Sequence, residues 1–304
     1  MTGEFRRPKV SIILPTHNRP DSLRKAISSV ISQTYNSIEL IVVDDASVSN
    51  PEEIVDSFRQ GAKIEIIYLR NSQRKGGAES RNIGIGSSSG DLISFLDDDD
   101  EILPGKIEKQ ADFLLSNPEV DCLSCWYIEE GAGNRGIRRK FDLPSFEEML
   151  YRNRFGGFSF SMLRRKALDK IGFIDGALFS CHDWEFWLRA WPRSNMAVFP
   201  DYLVVYHRHA GNISSLSART IASYERVVRI NSKYMDAKCL RFHNRTLALS
   251  HAKLMSSKDD KIREFNRRLR VYGMNRLSDI GFALYGRMSL SLDGSNIKNI
   301  LKRS

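Results

Sequence analysis

The sequence predicts an α/β fold: a mostly parallel sheet with helices on both faces, followed by a helical extension. Three observations predict it. Short β-branched apolar runs alternate four times with helical patterns over the first hundred or so residues, the signature of βα units in a parallel sheet. Acidic and polar residues fall just past the ends of these runs, where open α/β sheets place their ligands. From Thr220 the pattern changes to amphipathic helices with basic polar faces.

Val10-Ser-Ile-Ile-Leu14 reads as the first strand, ended by Pro15. Asp21 is expected to cap the helix that follows, in which Leu23, Ala26, Ile27, Val30 and Ile31 recur at helical spacing. Between them lies the polar loop Pro15-Thr-His-Asn-Arg-Pro20. Glu39-Leu-Ile-Val-Val43 is the second strand, followed by Asp44-Asp45-Ala-Ser47 and a helix opened by Pro51. Ile64 to Leu69 is the third, leading through Gly76-Gly77 to a helical segment, Ala78 to Ile85, that carries Arg81 and Asn82. Leu92 to Leu96 is the fourth and runs into Asp97-Asp98-Asp99-Asp100. Four consecutive carboxylates repel one another and are costly to bury unpaired, so they need water or a cation. Their place at the end of a buried strand favours the cation.

Further on, Lys106 to Ser116 reads as a helix, Val120 to Tyr127 as a strand, and Gly131 to Gly136 as a glycine-rich turn in a basic, mobile loop. Ser145-Phe-Glu-Glu148 has the form of a capping box. Phe160 to Leu163 reads as a strand, and Cys181 to Trp191 as a helix stopped by Pro192. Asp183 sits at the amino end of that helix, where a carboxylate can satisfy free N–H groups. In the tail, Ile221, Tyr224, Val228, Asn231 and Met235 form one helical stripe, and Ile262, Phe265, Leu269 and Tyr272 another.

Among 304 residues, 41% hydrophobic content suffices for a sizeable core. The net charge of +9 is uneven: from Leu216 onward there are nineteen Lys and Arg against seven Asp and Glu, so the tail is near +12 and the body near −3. A basic tail of this kind suits nucleic acid or an anionic membrane surface. No apolar run reaches transmembrane length and Met1 to Arg7 lacks a signal-peptide core, so a cytoplasmic location is expected. Cys122 and Cys125 have ligand-like spacing but no second pair, and on a strand they would point to opposite faces, so both are expected in the core.

Five motifs in order, Val10-Ser-Ile-Ile-Leu-Pro-Thr-His-Asn18, Ile41-Val-Val-Asp-Asp-Ala-Ser47, Gly77-Ala-Glu-Ser-Arg-Asn-Ile-Gly84, Leu96-Asp-Asp-Asp-Asp100 and His182-Asp-Trp-Glu-Phe-Trp-Leu-Arg189, resemble inverting family 2 glycosyltransferases of the GT-A, Rossmann-like fold. The resemblance covers about Lys9 to Ser215. It implies a GT-A domain over 1–215, with a nucleotide-binding half at about 9–104 and an acceptor half at about 105–215, ahead of a basic helical extension over 216–304. It also implies a nucleoside diphosphate sugar donor, UDP-linked, and a glycan or lipid-linked acceptor. Under it Pro15, Thr16, His17 and Asn18 would line the base, and Asp45 would accept from the N3–H of a uracil. Arg81 would help hold the nucleotide or its diphosphate. Asp97 and Asp99 would form the D-x-D motif on Mg²⁺ or Mn²⁺, with Asp98 beside the donor. Asp183 would be the general base, and His209 would approach the diphosphate. The sequence departs from relatives at His182, where Glu is common. The basic helices are then expected either to meet the inner face of the membrane or to serve as a soluble lid or dimer contact, and no nucleic acid is expected.

Overall fold

The structure, a computed structural model, describes residues 7–131, 134–208 and 216–273. The chain divides into two compact units, Met1–Asn212 and Ile213–Ser304. Among the described residues the first is built on nine strands: β1 (Val10–Thr16), β2 (Ile38–Asp44), β3 (Glu65–Arg70), β4 (Leu92–Phe95), β5 (Glu101–Ile102), β6 (Cys122–Gly131), β7 (Asn134–Arg139), β8 (Met162–Arg164) and β9 (Met196–His207). Its helices are α1 (Pro20–Ile31), α2 (Glu52–Arg59), α3 (Gly77–Ser87), α4 (Lys106–Ser116), α5 (Phe146–Tyr151), α6 (Ala167–Ile171) and α7 (His182–Ala190). The strand order is β3-β2-β1-β4-β8-β6-β9-β5, with β7 on β6. The first four strands are parallel. Beyond β4 the sheet is mixed, with β8 antiparallel to both neighbours and β9 parallel to β6.

Every residue of β1 and β2 is buried, as expected where helices cover both faces of a parallel sheet. Strand β1 runs two residues further than the sequence suggests. It pairs with β4 only as far as Ile13, so Pro15 lies where β1 has lost that neighbour and its missing N–H breaks no β4 bond. Helix α1 likewise starts before the expected cap: Pro20 takes the first position and Arg19 is the N-cap residue with no side-chain cap. Asp21 falls in the first turn, where its charge suits the helix dipole. Helix α3 crosses β1 closely at Gly84, where a Cβ would stand 2.5 Å from Ile13 Cγ2. That approach seats Arg81, one turn earlier, near the ends of the strands.

Part of the expected glycine-rich turn is strand: β6 continues to Gly131 and pairs antiparallel with β7 from Asn134, with a register shift between Glu129 and Gly131, and residues 132–133 lie outside the described residues. Cys122 and Cys125 are fully buried core residues, and burial pushes the Cys125 thiol up to about 12. Behind the sheet, the buried Lys106 ammonium donates to Ser94 Oγ (3.2 Å) and Gln110 Oε1 (2.8 Å), and the Gln110 amide donates to Phe160 O (3.0 Å). Together with Ser94 Oγ donating to Ser161 O (2.9 Å), these bonds brace the 3₁₀ turn Phe158–Phe160 against β4.

The second unit holds α8 (Ala218–Asn231), α9 (Ala237–Lys253) and α10 (Lys258–Val271). Ser217, Asp236 and Ser257 cap them through side-chain oxygens. Ala248 and Ala252 of α9 pack on Phe265 and Leu269 of α10. No helix among the described residues is long and apolar enough to cross a membrane.

Candidate active site

Because β2, β1 and β4 are neighbours, their carboxyl ends bring three loops together: 16–19, 44–48 and 96–100. In the first, His17 Nδ1 meets Asp45 O at 2.8 Å and Asn18 Nδ2 meets His17 Nε2 at 3.0 Å. A carbonyl can only accept and the Asn18 nitrogen can only donate, so the imidazole carries its proton on Nδ1 and its ring is fixed. Asn18 has φ 55, accepts from Val48 N (2.8 Å) and donates its own N–H to Ser47 Oγ (2.9 Å). The left-handed turn that Asn tolerates thus ties the first loop to the second.

Asp45 is buried. Its Oδ1 accepts from Asn71 Nδ2 (2.9 Å) and Lys75 N (2.7 Å), and its Oδ2 from Gly76 N (2.8 Å). Burial pushes this carboxyl up, but those donors outweigh it and the pKa lies below the ordinary value. Asp45 therefore holds the segment that enters α3, while Oδ2 retains capacity for one more donor.

The aspartate run separates into two roles. Carboxylate oxygens of Asp97, Asp99 and Asp100 all lie within 4.8 Å of one another. Asp98 turns aside: its Oδ2 accepts from Thr16 Oγ1 (2.8 Å) and its Oδ1 from Arg19 Nη1 (2.9 Å). Burial pushes Asp98 up to about 6 and, with the charges of Asp97 and Asp99, raises Asp100 well above the carboxylate range. Ser159 stitches the cluster, its Oγ accepting from Asp97 N (3.0 Å) and its hydroxyl donating to Asp100. His207 N adds a bond to Asp100 Oδ1 (3.2 Å). Three convergent hard oxygen donors, one raised in pKa by burial and then by the charges of the other two, fit a divalent cation.

Arg81 stands behind this cluster. It is 4% exposed. Its Nη2 pairs with Asp97 Oδ1, its Nη1 donates to Gly77 O (2.9 Å), and its guanidinium lies 5.1 Å over the Phe158 ring. Nη1 also meets His182 Nε2 at 3.2 Å. Since guanidinium only donates, Nε2 accepts and the His182 proton sits on Nδ1, which is buried and has no partner among the described residues. Burial, then the Arg81 charge, lowers His182 to about 3, so it is neutral. At this position the chain thus offers Arg81 an uncharged acceptor.

Next to His182, Asp183 opens α7. Its Oδ1 accepts from the N–H of Trp184 (2.7 Å) and its Oδ2 from Asn153 Nδ2 (3.0 Å). Burial pushes its pKa up, and the nearby Asp97 charge adds to this, against the hydrogen bonds and Arg81. Glu185, the other carboxylate of this turn, is locked in a two-pronged pair with Arg189 (2.6 and 2.9 Å) and is 2% exposed. It is a brace. The structure thus brings together Thr16, His17, Asn18, Asp45, Arg81, Asp97 to Asp100 and Asp183, with Pro15 buried at the end of β1; His209 lies outside the described residues. Sequence reasoning gave no individual role to Arg19, Asp100, Asn153, Phe158 or Ser159. Arg19 and Asp100 stood inside motifs already singled out, whereas the other three carry no spacing signal.

A four-stranded parallel half continued by a mixed half, with a three-aspartate cluster in the crevice at the strand ends, is the GT-A arrangement. Comparison with known proteins agrees. The glycosyl transferase family 2 model matches residues 11–172, and the chain belongs to that family. An uncharacterized glycosyltransferase of Haemophilus influenzae is 33% identical over 184 residues, covering 59% of this chain and 61% of the relative. The Escherichia coli UDP-Glc:alpha-D-GlcNAc-diphosphoundecaprenol beta-1,3-glucosyltransferase WfaP is 28% identical, covering 72% of this chain and 85% of its own. Among solved structures, residues 1–349 of S. aureus TarS in complex with UDP superpose with a TM-score of 0.59 at 18% identity, covering 90% of this chain and 75% of that one. At that identity the likeness concerns the fold.

Proposed function

We propose that the chain is a metal-dependent, inverting glycosyltransferase that moves a sugar from a UDP-linked donor to an acceptor hydroxyl in cell-surface polysaccharide or glycolipid synthesis. The observation that carries this reading is the unbroken run from Asp183 and His182 through Arg81 to Asp97, which sets a carboxylate base beside a carboxylate cluster. The UDP donor and lipid-linked acceptor are supported by the name of WfaP and by the TarS complexes with UDP and UDP-GlcNAc.

Pro15, Thr16, His17 and Asn18 line the base, and Asp45 accepts its N3–H on Oδ2. Asp97, Asp99 and Asp100 hold Mg²⁺ or Mn²⁺, which when bound supplies a Lewis acid for the charge of the departing diphosphate. Arg81 fixes Asp97 from behind, and Thr16 and Arg19 hold Asp98 at the donor's edge. An acceptor hydroxyl is a poor nucleophile at neutral pH, so Asp183 takes its proton as it attacks the anomeric carbon from the face opposite the leaving group. Inversion in one step follows. Burial raises Asp183 and so makes it the stronger base once ionised.

A donor screen scored by release of nucleoside diphosphate tests this. UDP-sugars should turn over with Mn²⁺ or Mg²⁺ and stop turning over in EDTA; no release from any nucleotide sugar would sink the reading. The basic second unit we assign to an anionic membrane, where each Lys or Arg that reaches the surface contributes about 1 kcal/mol. The chain should sediment with anionic vesicles at low salt and not with neutral ones; failure to sediment with either would leave the unit as a soluble module.

A further inference from the structure

Two arginines neutralise the aspartate run, and their settings differ. Arg81 is enclosed: 4% exposed, under the Phe158 ring and held by Gly77 O and His182. Arg19 is the N-cap residue of α1, with non-helical φ −134, and its side chain is 31% exposed. Its Nη1 bridges Asp98 Oδ1 (2.9 Å) and Asp99 Oδ2 (2.6 Å). Asp99 is thus claimed twice, since the same carboxylate belongs to the three-aspartate cluster that fits a divalent cation. A guanidinium 2.6 Å from Asp99 and a divalent cation on the same group repel each other across a short, partly buried distance.

We propose that Arg19 is a built-in counter-cation of Asp99, which the divalent cation displaces and whose guanidinium then bonds the diphosphate of the nucleotide. The proposal rests on the reading of a metal-bound nucleoside diphosphate in this crevice. Without metal, Arg19 lowers the cost of keeping buried carboxylates ionised. With metal and nucleotide present, the planar fork of Arg suits phosphate oxygens. A partly exposed side chain can make that exchange. The enclosed Arg81 stays on Asp97.

The exchange makes metal and nucleotide binding cooperative. Metal alone must draw Arg19 off Asp99 and leave it with Asp98, whereas metal with diphosphate offers it new acceptors. By linkage the coupling is reciprocal. Removing Arg19 should therefore move the two affinities in opposite directions, which loss of a merely structural residue would not do.

The test uses the full chain. Free Mn²⁺ is measured by electron paramagnetic resonance without nucleotide, and UDP binding by calorimetry at saturating Mn²⁺. Arg19→Ala should bind Mn²⁺ alone on the order of tenfold more tightly than wild type and bind UDP with Mn²⁺ on the order of tenfold more weakly. Arg19→Lys restores the charge, so its Mn²⁺ affinity should return to the wild-type value while UDP binding recovers only in part. If Arg19→Ala binds Mn²⁺ no more tightly than wild type, the counter-cation role is overturned and the metal site stands. If wild type itself binds neither Mn²⁺ nor UDP, the underlying reading falls as well.

Discussion

Asp183→Asn is expected to lower glycosyl transfer by about 10²-fold or more, with affinity for UDP in Mn²⁺ close to wild type, because a general base contributes on that order. The substitution keeps the shape and removes the basicity. It also has a calculable structural side effect. Asp183 accepts from two donors, Trp184 N and Asn153 Nδ2, and the Asn153 carbonyl is committed to Phe155 N and Gly156 N (3.1 Å each). The new amide can accept from one of the two, so one hydrogen bond is lost at a cost of about 0.5–1.5 kcal/mol, while Asn153 Nδ2 keeps its bond to Gly156 O (2.8 Å). Thermal unfolding should therefore shift modestly while activity collapses. In wild type, activity should fall as pH drops through the Asp183 pKa, and that limb should sit above the ordinary carboxylate value because burial raises it. Near-normal turnover in Asp183→Asn would place the base elsewhere; Glu185, held by Arg189, is not free to replace it.

Asp99→Ala is expected to reduce transfer by roughly 10²–10³-fold, the scale of losing an electrostatic stabiliser of the departing charge. Its affinity for UDP should fall strongly in Mn²⁺ and little in EDTA. Asp98→Ala serves as the contrast, since Asp98 faces Thr16 and Arg19 and stands outside the three-aspartate cluster. An Asp99→Ala protein with unchanged metal dependence would remove this residue from the cation site.

Much of the parallel half was legible in the sequence, since fully buried strands must be apolar on both faces: Val10 to Leu14, Glu39 to Val43 and Leu92 to Leu96 stand out for that reason. The helix Lys106–Ser116 was legible to the residue. The mixed half was not. β9 carries Pro200 and Asp201 and pairs with β6 through register shifts at Cys125 and Trp126, which blurs its alternation. β7 is a polar, basic strand paired only with β6. α9 buries Cys239, His243, Leu247, Ala248 and Ala252, a stripe with one large apolar residue, weaker than the Ile and Phe positions of its neighbours. The same division runs through the site. Residues at strand ends were legible because the topology alone gathers them. Asn153, Ser159 and Arg19 act through partners 30, 62 and 80 positions away, and only the folded chain reveals such contacts.

The joint claim is that Asp97, Asp99 and Asp100 hold a cation on the donor diphosphate while Asp183 faces the acceptor side of the same crevice. Anomalous scattering from crystals grown with Mn²⁺ and UDP tests it most directly. The account predicts one strong Mn²⁺ peak within about 2.0–2.6 Å of an Asp99 carboxylate oxygen and of the diphosphate, with Asp183 uncoordinated. A peak on Asp183, or UDP seated in the crevice with no peak at the aspartates, would contradict it.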